Sequence, residues 1–161
     1  MANKPRVLFL CTGNSCRSQM AEGWTRALHG SRIEALSAGV EPKSLDPRAV
    51  RVMAEAGVDI AGARSKHLDE VAGGGVDWAI TVCGHADEAC PAFPGRVRRS
   101  HVGFDDPPRL AAGALTEEEA LLPYRRVRDE IRSFVESLPT LLESPETRRS
   151  RLFRSRKEDK G

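Results

Sequence analysis

Five residues separate Cys11 from Arg17, and all five (Thr12, Gly13, Asn14, Ser15 and Cys16) are small or polar. At a strand-to-helix turn this spacing lets the backbone N–H groups from Thr12 to Ser18 converge on the sulfur and on a bound oxyanion. Arg17 adds a bidentate guanidinium. The same field is expected to hold the Cys11 thiol below its ordinary value of about 8.5, giving a thiolate nucleophile at neutral pH. A tetrahedral oxyanion is the natural ligand of such a cradle. Attack on it needs a proton donor for the departing oxygen, which a carboxylic acid on an overhanging loop can supply. Asp105 and Asp106 stand before a stiff double proline, and Asp106, directly before Pro107, is the favoured acid; the alternative is a pair of ordinary turn aspartates.

Two later cysteines separate one chemistry from another. Cys83 follows an apolar run, and Cys90 lies seven residues on, after the small polar segment Gly84 to Ala89. A hydrolase needs no further thiol, because water can break a cysteinyl intermediate. A reductase needs two electrons: a second thiol attacking Cys11 provides them by forming a disulfide, and a third would pass that disulfide outward. The competing readings of Cys83 and Cys90 are plain packing and zinc. Cys-x6-Cys, with Cys11-x4-Cys16 elsewhere, matches no usual zinc pattern, so no metal is expected. Cys16 reads as a buried cysteine, with a protective disulfide to Cys11 as the alternative.

Elements that could position these groups are legible along the chain. Val7-Leu8-Phe9-Leu10 reads as a buried parallel strand delivering Cys11. Ser18 to Leu28 places Met20, Ala21, Trp24, Ala27 and Leu28 on one helical face, with Gly30 as the stop. Ile33 to Ser37 suits a second strand. Asp46-Pro47 opens a helix whose apolar stripe is Val50, Met53 and Ala54. His67 to Val71 suits a short helix before Gly73-Gly74-Gly75, and Asp77 to Cys83 a third buried strand. Arg96 to Phe104 is weaker strand material, and Pro108 to Leu115 reads as a loop. Thr116 caps a helix that Pro123 is expected to interrupt, and a long amphipathic helix runs from Tyr124 to a kink or end at Pro139. The alternation implies an α/β fold of three layers, a four-stranded parallel sheet flanked by helices, with the ligand beyond the carboxyl ends of the strands.

A length of 161 residues suits one compact domain, expected over residues 1–143, with a basic, mobile tail over 144–161. The formal charge of +2 comes from that tail: Arg148 to Gly161 holds seven Lys or Arg against two Asp or Glu, leaving 18 basic and 21 acidic residues before it. The body is therefore mildly acidic, and the tail reads as solvated rather than as a nucleic-acid or membrane contact. No apolar run approaches the length of a membrane span, and Met1-Ala2-Asn3-Lys4-Pro5 leads straight into a strand, so a cytoplasmic chain with unpaired cysteines is expected.

The motifs Cys11 to Trp24, Ser37-Ala38-Gly39, Thr81-Val82-Cys83-Gly84, Cys90-Pro91, Gly103-Phe104-Asp105-Asp106-Pro107 and Arg126 to Ile131 together resemble the thioredoxin-coupled arsenate reductases, which share the low-molecular-weight protein tyrosine phosphatase fold. The resemblance covers about residues 5–140. It implies that Cys11 attacks arsenate held by the loop and Arg17, with Asp106 protonating the leaving hydroxide. Cys83 then attacks Cys11 and releases arsenite, and Cys90 attacks Cys83. Thioredoxin reduces the resulting disulfide, so no tightly bound cofactor is expected, and phosphate or sulfate would compete as oxyanions. Some relatives bind potassium beside the loop through Asn14, Ser18, Glu22 and an aspartate where this chain has Lys66; the ammonium in its place predicts potassium-independent activity. Val102 also stands where close relatives often carry tryptophan.

Two rival functions use the same residues. A phosphomonoester or phosphotyrosine hydrolase would leave Cys83 and Cys90 incidental. Gln19, where the phosphatases typically have proline, and the lack of a Tyr or Trp after Asp106-Pro107 both speak against it. A non-enzymatic redox or oxyanion sensor would need the cysteines but not the acid.

Overall fold

Arg6–Cys11 forms the first strand, β1, and Val7, Leu8, Phe9 and Leu10 within it are all 0% exposed. Successive side chains of a strand point to opposite faces, so burial of four in a row requires cover on both faces of the sheet. Each fully buried Leu or Phe contributes ~2 kcal/mol of transfer free energy. β1 pairs in parallel with β2 (Glu34–Gly39) on one side and β3 (Trp78–Thr81) on the other, and β4 (Arg98–His101) pairs in parallel with β3. The order β2-β1-β3-β4 makes β1 and β3 neighbours, and β4 closes the edge with polar residues. This computed structural model describes residues 4–84 and 97–143; Cys90 and the expected tail lie outside the described residues.

Six helices accompany the sheet among the described residues: α1 (Arg17–His29), α2 (Pro47–Glu55), α3 (Leu68–Ala72), α4 (Pro107–Ala111), α5 (Glu117–Glu136) and α6 (Leu138–Leu142). α1 lies against β1 and β2, and α5 packs on α1, α2 and α4. The parallel sheet with flanking helices matches the fold expected from the alternation of apolar runs. No helix among the described residues is long and apolar enough to cross a membrane.

Several local expectations need correction. Ala27 and Leu28 are exposed; α1 instead buries Met20, Ala21 and Trp24 together with the polar Gln19, Glu22 and Thr25, because it lies between the sheet, α5 and the loops beside the strand ends. In α2 the buried residues are Ala49, Val52 and Met53, a stripe rotated by one position from the expected one. Residues 107–111 are helical rather than loop, since Asp106-Pro107 is the same opening signal as Asp46-Pro47. Pro123 does not interrupt its helix. Its missing N–H leaves the carbonyl of the exposed Glu119 to water, while burial of Ala120, Leu121, Tyr124 and Val127 holds the helix through that point. The long helix then ends at Glu136, and Pro139 falls in the first turn of α6.

Candidate active site

β1 and β3 run parallel in register from Val7 opposite Trp78 to Leu10 opposite Thr81, so Cys11 and Cys83 emerge from adjacent strands at the same edge. The loop after Cys11 is shaped by where its carbonyls go. Thr12 O accepts from Glu41 N at 2.9 Å, Gly13 O from Lys43 N at 2.8 Å, Ser15 O from Asp46 N at 2.9 Å and Cys16 O from Met20 N at 2.9 Å. Asn14 O accepts from Ser65 Oγ at 2.7 Å and from Gln19 Nε2 at 3.1 Å. A trans peptide sets its N–H opposite its C=O, so carbonyls anchored to the surrounding segments turn the amides of Gly13 to Cys16 toward the opposite, concave side. Asn14 makes the tightest bend, at φ +49°, a left-handed conformation that asparagine tolerates better than most residues. Both ends of its side chain are held there: Nδ2 donates to Ser18 Oγ at 2.9 Å, and Oδ1 accepts from Lys66 N at 2.8 Å and from Gln19 Nε2 at 3.1 Å.

Arg17 opens α1 and lies across the loop. Its Nη1 donates to Phe104 O at 2.9 Å, its Nη2 stands 3.6 Å from Asp106 Oδ1, and its buried Nε has no hydrogen-bond partner. A buried guanidinium nitrogen without an acceptor is costly unless a ligand supplies one, and an oxyanion in the cradle would do so. The two candidate acids separate cleanly. Asp105 is held by Arg126 Nη2 at 3.0 Å. Asp106 sits at the N-cap of α4 with no capping hydrogen bond from its side chain, which is 42% exposed beside Arg17.

Cys11 and Cys83 are buried free thiols, 4% and 5% exposed, near enough to influence each other's ionisation. Thr12 Oγ1 lies 3.2 Å from Cys83 Sγ, holding the second sulfur beside the first. This proximity reverses the expected ionisation. Cys11 is pushed up, not down: the Cys83 side chain has the largest effect and burial the next, and they outweigh the guanidinium of Arg17 and the Ser18 amide, which favour the thiolate. Cys16 is also buried and free, and burial, followed by the Asp46 carboxylate, raises it well above an ordinary thiol.

The structure therefore brings together Cys11, Thr12, Gly13, Asn14, Ser15, Cys16, Arg17, Ser18, Cys83 and Asp106, while Cys90 lies outside the described residues. Sequence reasoning missed the parts that hold the loop. Gly39 is one: a Cβ there would lie 2.7 Å from Thr12 O and 2.8 Å from Asn14 N, so only glycine lets β2 pass this close behind the loop backbone. Ser37-Ala38-Gly39 stood out as a motif, but nothing in it announced a steric role. Gln19 and Ser65, which bind Asn14, carried no chemical signal. Among the described residues no cluster of His, Cys, Asp and Glu is arranged to hold a metal.

A family model described as low molecular weight phosphotyrosine protein phosphatase matches residues 6–147. The chain belongs to this family. Within the low-molecular-weight phosphatase family, it is 48% identical over 129 residues to the arsenate reductase of Halalkalibacterium halodurans, covering 80% of this chain and 91% of that one. A solved arsenate reductase in the oxidized state superposes with a TM-score of 0.71 at 29% identity, covering 86% of this chain and 98% of the other. A thioredoxin-dependent arsenate reductase of Corynebacterium glutamicum gives 0.61 at 28% identity, over 86% of this chain and 64% of that one.

Proposed function

We propose that this chain reduces arsenate to arsenite through a thiol relay from Cys11 to Cys83 to Cys90, regenerated by thioredoxin. The observation that carries the reading is the second buried thiol: Cys83 comes off the strand paired with β1 at the edge where Cys11 emerges, held by Thr12 Oγ1 at 3.2 Å and close enough to shift the ionisation of Cys11, an arrangement that hydrolysis does not require. Relatives named arsenate reductase, and a solved neighbour named as thioredoxin-dependent, support the substrate and the reductant.

In the first step Cys11 Sγ attacks arsenic while the loop amides and Arg17 hold the remaining oxygens. The sulfur–arsenic bond forms and the arsenic–hydroxyl bond breaks. Asp106 delivers a proton to the departing hydroxide, and the Cys11 proton is given up, so water leaves. Cys83 then attacks Cys11 Sγ: the sulfur–arsenic electron pair passes to arsenic, reducing it by two electrons, and a Cys11–Cys83 disulfide forms. Cys90 attacks Cys83 and frees Cys11, and a thioredoxin dithiol reduces Cys83–Cys90. Phosphate and sulfate share the shape and charge that the cradle recognises and act as competitors. The relay uses no tightly bound cofactor, nucleic acid or membrane, and free thiols suit a cytoplasmic setting.

Lys66 Nζ donates to Arg64 O at 2.9 Å, and its charge, after that of Arg26, works against the burial that raises the Glu22 carboxyl. This ammonium supplies positive charge behind the loop, so added potassium is expected to leave turnover unchanged.

The test follows arsenite formation with thioredoxin, thioredoxin reductase and NADPH. The full chain turns over repeatedly, whereas Cys83→Ser and Cys90→Ser do not; repeated turnover by either variant would sink the relay. Cys83→Ser also removes the largest upward push on Cys11. Its thiolate absorbance should therefore appear at lower pH than in the parent protein, and an unmoved or raised titration would contradict the influence of Cys83 on Cys11.

A further inference from the structure

Gln19 is 1% exposed, and its side-chain amide is spent in an unusual way. Nε2 reaches three acceptors: Asn14 O, Asn14 Oδ1 and Arg64 O, each at 3.1 Å. An amide nitrogen carries two protons, so one is shared between two of them. The reverse orientation would set the amide oxygen against three acceptors, so this arrangement is the only one that satisfies the site. Oε1, however, is buried with no hydrogen-bond partner.

As a stability device this residue is poor. Each acceptor it serves already has another donor: Asn14 O has Ser65 Oγ at 2.7 Å, Asn14 Oδ1 has Lys66 N at 2.8 Å and Arg64 O has Lys66 Nζ at 2.9 Å. An apolar side chain of the same length would orphan none of them and would remove the unpaired oxygen. The fold therefore retains a buried, half-satisfied amide whose net contribution to stability is small or negative.

What Gln19 does set is a direction. It grips both oxygens of Asn14, the residue held in the left-handed conformation, from the side away from the cradle. Fixing the Asn14 carbonyl there fixes the Ser15 N–H toward the concave side, because the peptide is planar and trans. We propose that Gln19 is a positioning residue for the oxyanion loop: it orients the Asn14–Ser15 peptide so that the Ser15 amide meets the bound oxyanion. The inference rests on the loop being the oxyanion site.

Binding of inorganic phosphate and arsenate is measured by titration calorimetry on Cys11→Ser protein, which cannot turn over, alongside thermal melts. Arg17→Ala tests the site itself and should abolish binding; unchanged binding would overturn the site assignment. Given an intact site, Gln19→Met should weaken oxyanion binding about five- to tenfold, the loss of one well-aimed hydrogen bond, with a melting temperature unchanged or higher. In the active protein the same change raises KM for arsenate while the later Cys83 step keeps its rate. Gln19→Glu supplies a protonation-dependent donor. Its carboxyl donates to Asn14 when protonated and repels both Asn14 oxygens when ionised, so binding relative to the parent should recover as pH falls and worsen as it rises. Full affinity in Gln19→Met overturns the proposal. So does a loss of affinity that merely tracks a lowered melting temperature, or a Gln19→Glu profile parallel to that of the parent.

Discussion

Asp46-Pro47 and Asp106-Pro107 open α2 and α4 with the same dipeptide and nearly the same backbone, at φ −72° and −88° and ψ 116° and 104°. Their carboxylates have opposite fates. Asp46 accepts from Arg48 N at 2.9 Å and from Tyr124 Oη at 2.5 Å, while its own N–H holds Ser15 O. Burial and the Asp46 carboxylate push the Tyr124 hydroxyl far above an ordinary phenol, so it stays a donor. Asp46 is thus a fixed strut behind the loop that follows Cys11. The Asp106 side chain makes no capping hydrogen bond and stands 42% exposed, 3.6 Å from Arg17 Nη2. A helix N-cap is compatible with either role; what decides is whether neighbouring donors consume the carboxylate.

The comparison can be broken by exchanging one group at a time. The largest effect is expected for Asp106→Asn, which keeps the backbone and shape but removes the acid: arsenite formation should fall about 100- to 1,000-fold with little change in melting temperature. A rate within threefold of the parent would make Asp106 an ordinary turn residue rather than the acid. Asp46→Ala comes next and with the opposite signature. Losing the cap should cost ~1–2 kcal/mol in chemical denaturation, and arsenate KM should rise as the Ser15 support loosens. A rate loss without destabilisation would merge the two aspartates into one class. The smallest effect is expected for Asp105→Asn, whose carboxylate is tied to the exposed Arg126: turnover should stay within about twofold, since exposed ion pairs are worth ~0–1 kcal/mol. A larger loss would move the acid to Asp105.

Most of the scaffold was legible because it depends on local pattern. Four apolar residues before Cys11 announced a strand buried on both faces, and the residues after it announced a turn into a helix. Errors arose where a neighbour outvoted the pattern. The burial of Gln19, Glu22 and Thr25 in α1 could not be read from a hydrophobic stripe: Gln19 is held by Asn14 and Arg64 from the loops, Glu22 pairs with Arg26 one turn on, and Thr25 returns its hydroxyl to Ala21 O. Pro123 lies within an unbroken helix because its flanking side chains are buried against other elements. Within the site, Cys11, Arg17 and Asp106 were singled out by residue type and spacing, and the structure brings them to one loop. The supports Gly39, Gln19 and Ser65 were not, since their importance comes from distances to a loop far away in sequence.

By itself the sequence determined that a cysteine and an arginine would flank one tight loop at the end of a parallel strand, because strand burial, loop composition and helix initiation are local properties. Tertiary structure alone decided which aspartate lies beside Arg17, how the loop carbonyls are anchored so that the amides turn inward, and that Cys11 is pushed up rather than down. Ionisation and hydrogen-bond satisfaction depend on every group within a few ångströms, and those groups come from strands and loops that only the fold brings together.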